Sequence, residues 1–126
     1  MGSNIRTYRD LIAWQLGMRV AKGTHLVTKA MPREELFGLT SQIRRAAVSV
    51  PANVAEGFGR YHYTDRIKFL LYARGSLNEF KSHLIIASEL NFLDRTALPA
   101  VLELVETLSV KLNNFIATIR SHPQHS

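Results

Sequence analysis

The sequence predicts an all-α protein: an up-down-up-down antiparallel four-helix bundle whose second helix is kinked at Pro51. Three observations lead there. Apolar residues recur at alternating steps of three and four through four separate stretches, which places them on one face of a helix. The connections between the stretches are short and carry Pro, Gly or Asn and Asp, as antiparallel helical neighbours require. No stretch alternates apolar and polar residues with the period of two that a half-buried strand shows. At 126 residues the chain has the size of one domain. Residues 1–7 read as a flexible N-terminus, 8–120 as the bundle domain and 121–126 as a disordered tail.

The first helix is expected from about Tyr8 to Ala30, with Leu11, Trp14, Met18, Ala21, His25 and Thr28 as its seam. Met31-Pro32-Arg33 stops it. Glu34-Glu35 then place negative charge at the positive end of a second helix, which carries Leu36, Leu39, Ile43, Ala46 and Val50 toward the terminators Gly57 and Gly59. Thr64 is the expected N-cap of a third helix reaching about Leu90, with Leu70, Ala73, Leu77, Phe80, Leu84 and Ala87 inward. The fourth helix follows Asn91–Asp94, aligns Leu98, Val101, Val105, Leu108, Leu112, Phe115 and Ile119, and takes Pro99 in its first turn.

The second helix departs from simple bundle patterning. Pro51 cannot donate to the carbonyl of Ala47 and its ring crowds that turn, at a cost of roughly 3 kcal/mol in an ordinary helix interior. Around it Gln42, Arg45, Ser49, Asn53 and Glu56 recur at steps of three and four and share one face. With Glu79 of the third helix they form either a structural ion-pair cluster that fixes register at the kink or a catalytic constellation. The structural alternative is preferred, because Ser49 has no His or Lys at helical spacing to act as its base.

The runs RRAAVSVPANVAEGFGR (44–60) and KFLLYARGSLNEFKSHLIIASEL (68–90) carry a resemblance. The chain closely resembles, from Tyr8 to about Ile119, the small bacterial four-helix bundle proteins found as reading frames inside 23S ribosomal RNA intervening sequences. Its most specific parts are Ser49-Val50-Pro51-Ala52-Asn53-Val54-Ala55-Glu56-Gly57 and Gly75-Ser76-Leu77-Asn78-Glu79. A related branch of that fold contains the accessory proteins of diversity-generating retroelements. By analogy it implies a basic, closed homo-oligomeric ring, a pentamer, that meets nucleic acid and a reverse transcriptase.

Apolar residues off the main seams give an independent reason to expect self-association. Ile12, Leu16, Val20 and Val27 on the first helix, and Leu71, Ile85 and Ile86 on the third, read as a second stripe needing a partner surface or as a widened core face.

The formal charge is +6, and it is unevenly spread. Residues 1–81 hold 13 Lys and Arg against 6 Asp and Glu, whereas residues 82–126 hold 3 against 4. That polarity suits an anionic partner, RNA or DNA ahead of a membrane. The candidate contacts are Arg19, Lys22, Lys29, Arg33, Arg44, Arg60, Arg66, Lys68, Arg74 and Lys81. Lys22 and Lys29 stand one heptad apart, as do Arg74 and Lys81, in lines suited to phosphates rather than base edges. Tyr61 and Tyr63, between Arg60 and Arg66, either stack on unpaired bases or pack on the bundle end.

Several function classes find no support. Cysteine is absent, which excludes disulfides and thiolate metal sites. Glu103 and Glu106, and Glu79 with His83, read as solvated faces rather than a two-metal bundle site, and no cofactor is expected. Gly57-Phe58-Gly59 is too short for a phosphate loop, and no helix-turn-helix reader is evident. No apolar run approaches a membrane span and no secretory signal opens the chain, so a cytoplasmic location is expected. The reading is a non-enzymatic, oligomeric nucleic-acid-binding accessory factor. Its alternative is a protein-interaction scaffold for an acidic partner.

Overall fold

A computed structural model describes residues 5–122. Four helices follow in order: α1 (Ile12–Thr28), α2 (Leu39–Phe58), α3 (Tyr63–Glu89) and α4 (Leu98–Arg120), with no strand among the described residues. α1 packs on α2 and α4, and α3 packs on the same two, so the helices form an antiparallel four-helix bundle. The α2–α3 interface is the most extensive and the α3–α4 interface the least.

The helix starts show how local chemistry sets boundaries. The chain enters through a 3-10 turn at Tyr8–Asp10, closed by a reciprocal capping box between Thr7 and Asp10. Leu11 is extended and separates that turn from α1, which therefore begins at Ile12 and not at Tyr8. A second 3-10 turn at Arg33–Glu35 occupies the expected start of the second helix, and α2 itself opens at Leu39 after Gly38. α3 ends in a Schellman-type turn: Asn91 takes the left-handed conformation (φ 60°), and the Phe92 amide reaches the Ala87 carbonyl at 3.0 Å. The Asp94 amide then donates to the Val27 carbonyl at 3.0 Å, tying this connection to the end of α1. Asp94 Oδ1 accepts from the Thr96 and Ala97 amides just before α4, in which Pro99 sits in the first turn.

The core confirms the third helix residue for residue: Leu70, Ala73, Leu77, Phe80, Leu84 and Ala87 are all buried. The first helix is corrected. Its buried residues are Ala13, Leu16, Gly17, Val20, Thr24, Val27 and Thr28, so the face is rotated from the expected seam. Leu16, Val20 and Val27, read as a second stripe or a widened core face, are core, as the second alternative has it, while His25 is exposed. Two local features explain the rotation. Thr24 and Thr28 can be buried because their hydroxyls donate to the Val20 and Thr24 carbonyls, each at 2.7 Å. Gly17 lets the backbone of α1 approach α2 at Pro51.

α2 runs through Pro51 as one helix from Leu39 to Phe58. Pro51 is buried, its ring facing Gly17. Gly57 lies inside the helix and acts by close approach: a Cβ there would meet the Arg66 carbonyl oxygen at 3.2 Å and Phe69 Cβ at 3.3 Å. Gly59 is the C-cap, in a right-handed conformation.

Candidate nucleic-acid interface and the α2–α3 cleft

α1 supplies an unopposed basic surface. Between Asp10 and Glu34 the chain has no carboxylate. Arg19, Lys22 and Lys29 are exposed, and none makes an ion pair within 4 Å with a described residue. Lys22 and Lys29 lie about 10 Å apart along the axis at 1.5 Å per residue. Arg44 borders this surface from α2, half-buried, with its Nε donating to Thr28 Oγ1 at 3.0 Å.

A second basic surface forms at the α2–α3 connection, where aromatic rings join it. The Arg60 guanidinium stands 4.7 Å from the Phe69 ring centroid, and Lys68 Nζ stands 5.5 Å from it. Phe69 packs edge-to-face on Tyr72 at 5.6 Å, and Tyr72 is exposed. Tyr61 is 79% exposed and packs edge-on against His62, whereas Tyr63 opens α3 half-buried. Arg60 also pairs with Glu56 one helical turn back, in a solvated position. Arg66 is half-buried in the first turns of α3. Phe69 and Tyr72 escaped the sequence reading. The signal was present as an i, i+3 aromatic pair beside Lys68.

Arg74 and Lys81, expected as phosphate contacts, turn toward α4. Arg74 donates to Asn113 Oδ1 at 3.3 Å and Lys81 Nζ donates to Ser109 Oγ at 3.2 Å. These two bonds cross the thinnest interface of the bundle. Beside them an apolar groove of about 280 Å³ lies open between α3 and α4, formed by Leu84, Ile85, Leu98, Leu102 and Val105. Ile85 is 62% exposed and Val110 57%.

The polar row of α2 divides between two environments. Gln42, Arg45 and Ser49 share a cleft of about 360 Å³ with Glu79 of α3. Ser49 Oγ and Ser76 Oγ share a hydrogen bond of 2.8 Å, which fixes the level at which the two helices face each other. Asn53 Nδ2 donates to the Ser49 carbonyl at 2.9 Å and to Ser49 Oγ at 3.0 Å. Glu56 lies beyond, with Arg60. Arg45 makes no ion pair within 4 Å with either carboxylate, so the expected register-fixing pair is not formed; the hydroxyl pair links the two helices at this level. Glu79 Oε2 stands 3.5 Å from His83 Nε2 on its own helix. Among the described residues no three His, Asp or Glu side chains cluster as a metal-ligand set.

None of the described helices is long and apolar enough to cross a membrane. No curated protein sequence matches the chain. A family model described as 23S rRNA-intervening sequence protein matches residues 9–114.

Proposed function

We propose, from the premise that the chain belongs to the 23S rRNA-intervening sequence protein family, that it is a non-enzymatic, homo-oligomeric accessory factor that binds RNA or DNA through repeated basic surfaces. One observation carries the reading. α1 exposes Arg19, Lys22 and Lys29 on a segment without a carboxylate of its own, and no described carboxylate lies within 4 Å of them. Phosphates neutralise such a surface and release counterions from the nucleic acid, and that term depends steeply on salt and weakly on sequence. The aromatic and basic residues around Phe69 add a stacking surface for unpaired bases.

Self-association supplies the repetition. The α3–α4 groove exposes Ile85 and Leu102 beside Lys81, Glu89 and Glu106, an apolar surface bordered by both charge signs. A closed ring, a pentamer in this proposal, covers the groove and presents each α1 line several times, so a weak contact becomes a multivalent one. A reverse transcriptase or RNA-processing protein is the partner class that such an accessory serves, and the cytoplasm is its compartment. The same groove also favours a second reading: a protein scaffold whose partner fills it, with nucleic-acid contact incidental.

The experiment is copurification followed by challenge. Nucleic acid that copurifies with the protein and leaves at high salt is the expected result. A protein partner that survives nuclease treatment and competes with nucleic acid would favour the scaffold.

A further inference from the structure

The cleft between α2 and α3 holds more hydrogen-bonding capacity than the bundle uses. Ser49, Ser76 and Asn53 satisfy one another. Arg45 and Glu79 are exposed and do not meet a partner across the cleft, Glu79 touching only His83 of its own helix at 3.5 Å. Arg45 lies four residues before Ser49 and Glu79 three residues after Ser76, about 6 Å and 4.5 Å along their helices. Because the helices run antiparallel, both displacements point the same way, so Arg45 and Glu79 face each other at one level across the cleft. No ion pair within 4 Å joins them.

A guanidinium offers donors only, and an ionised carboxylate offers acceptors only. A ligand seated between them must bring an anionic acceptor for Arg45 and a hydroxyl donor for Glu79. The volume, about 360 Å³, lies near the low end of the range for ligand clefts and suits one nucleotide unit rather than a duplex. A ribonucleotide has both groups side by side, a phosphate and a ribose 2′-hydroxyl. A deoxyribonucleotide brings the phosphate alone and leaves it beside the Glu79 charge without compensation.

We infer that this cleft is a ribonucleotide site, in which Arg45 holds a phosphate and Glu79 accepts the 2′-hydroxyl, so that the protein prefers an RNA strand to DNA of the same sequence. The inference rests on the nucleic-acid reading above and names the strand it favours. Gln42 lines the same space and adds a neutral partner for the sugar and phosphate oxygens.

The test uses the full chain with a fluorescent ten-nucleotide oligouridylate and its deoxyuridine counterpart, with helicity and mass checked for each variant. The wild-type protein is expected to bind the ribo-oligomer about tenfold more tightly, the scale of one charge-assisted hydrogen bond. Glu79→Ala should weaken the ribo-oligomer and leave the deoxy-oligomer unchanged or tighter, bringing the ratio toward one. Arg45→Gln should weaken both. Uridine monophosphate as competitor assigns the source: competition means a free ribonucleotide suffices, and no competition means the extended strand is needed, the ribonucleotide chemistry standing either way. Equal, salt-sensitive affinity for both oligomers, or a ratio that survives Glu79→Ala, overturns the inference and leaves nucleic-acid binding intact. Binding of neither oligomer overturns both.

Discussion

Gly17 of α1 and Pro51 of α2 meet at a contact too tight for a methyl group unless the rigid ring gives by a few tenths of an ångström: a Cβ on Gly17 would stand 3.1 Å from both Cβ and Cδ of the Pro51 ring. The glycine is the counterpart of the proline. A helix interior tolerates Pro51 poorly, but here its rigid ring is a knob buried against the neighbouring helix.

Gly17→Ala should therefore destabilise the bundle by about 1 kcal/mol. Overpacking of about 1–3 kcal/mol outweighs the roughly 1 kcal/mol that alanine gains over glycine in a helix. In the Pro51→Ala background Cγ and Cδ are gone and the Ala47 carbonyl regains its donor, but Cβ remains, so the same change should cost less than in the wild type. Thermal melts of the four proteins give the coupling; strictly additive effects would mean that the two residues do not share a contact.

The α1 line predicts a salt signature. Replacing Arg19, Lys22 and Lys29 by Gln should weaken binding to single-stranded nucleic acid and reduce the slope of log affinity against log salt by about 2. Arg74→Gln and Lys81→Gln should change that slope less, because both side chains are engaged with Asn113 and Ser109 of α4. Anisotropy titrations across a salt series measure both.

The α3–α4 groove predicts an assembly defect. Ile85→Glu with Leu102→Glu places charge on surfaces that are 62% and 45% exposed in the protomer, so the fold should persist. Light scattering should then show a smaller particle with unchanged helical circular dichroism. An unchanged particle mass would move the interface to another face.

Asp10 predicts a dependence on pH. Its carboxylate accepts hydrogen bonds from the Arg6 and Thr7 amides at 2.8 and 3.1 Å, which hold its pKa below the ordinary 3.8. A depressed folded pKa contributes stability that is present above the unfolded value and is lost as pH falls through the folded one. Asp10→Asn should thus melt below wild type at neutral pH, with the gap narrowing progressively below pH 3.8.

How far the sequence spoke varied with the chemistry of each element. The inward face of α3 was legible to the residue because its positions are all apolar and keep one heptad alternation, but its start was not: His62, not the expected Thr64, is the N-cap. α1 was misread by following Trp14 and Met18. Its inward row uses Gly17 and Thr24, whose burial depends on a contact in another helix or on a hydroxyl bonded to its own backbone, whereas Thr28, expected in the seam, is buried. In the cleft, the steps of three and four placed Gln42, Arg45 and Ser49 together and the reading joined Glu79 to them, and the four line one cleft. The Glu56–Arg60 pair is an i, i+4 step that the spacing offered and the reading passed over, but pattern alone could not show that Arg74 and Lys81 turn to partners 39 and 28 residues away. Such choices depend on which helix lies beside which, and local periodicity carries no record of that.

The most direct test of the central claim measures affinity and assembly together. Protein stripped of nucleic acid at high salt is titrated with a fluorescent structured RNA and a single-stranded DNA across a salt series, with mass by light scattering in the same buffers. A multimer whose affinity for both falls steeply and log-linearly with salt is the predicted result. A multimer that binds neither probe at low salt would contradict the nucleic-acid reading and leave the protein scaffold in its place.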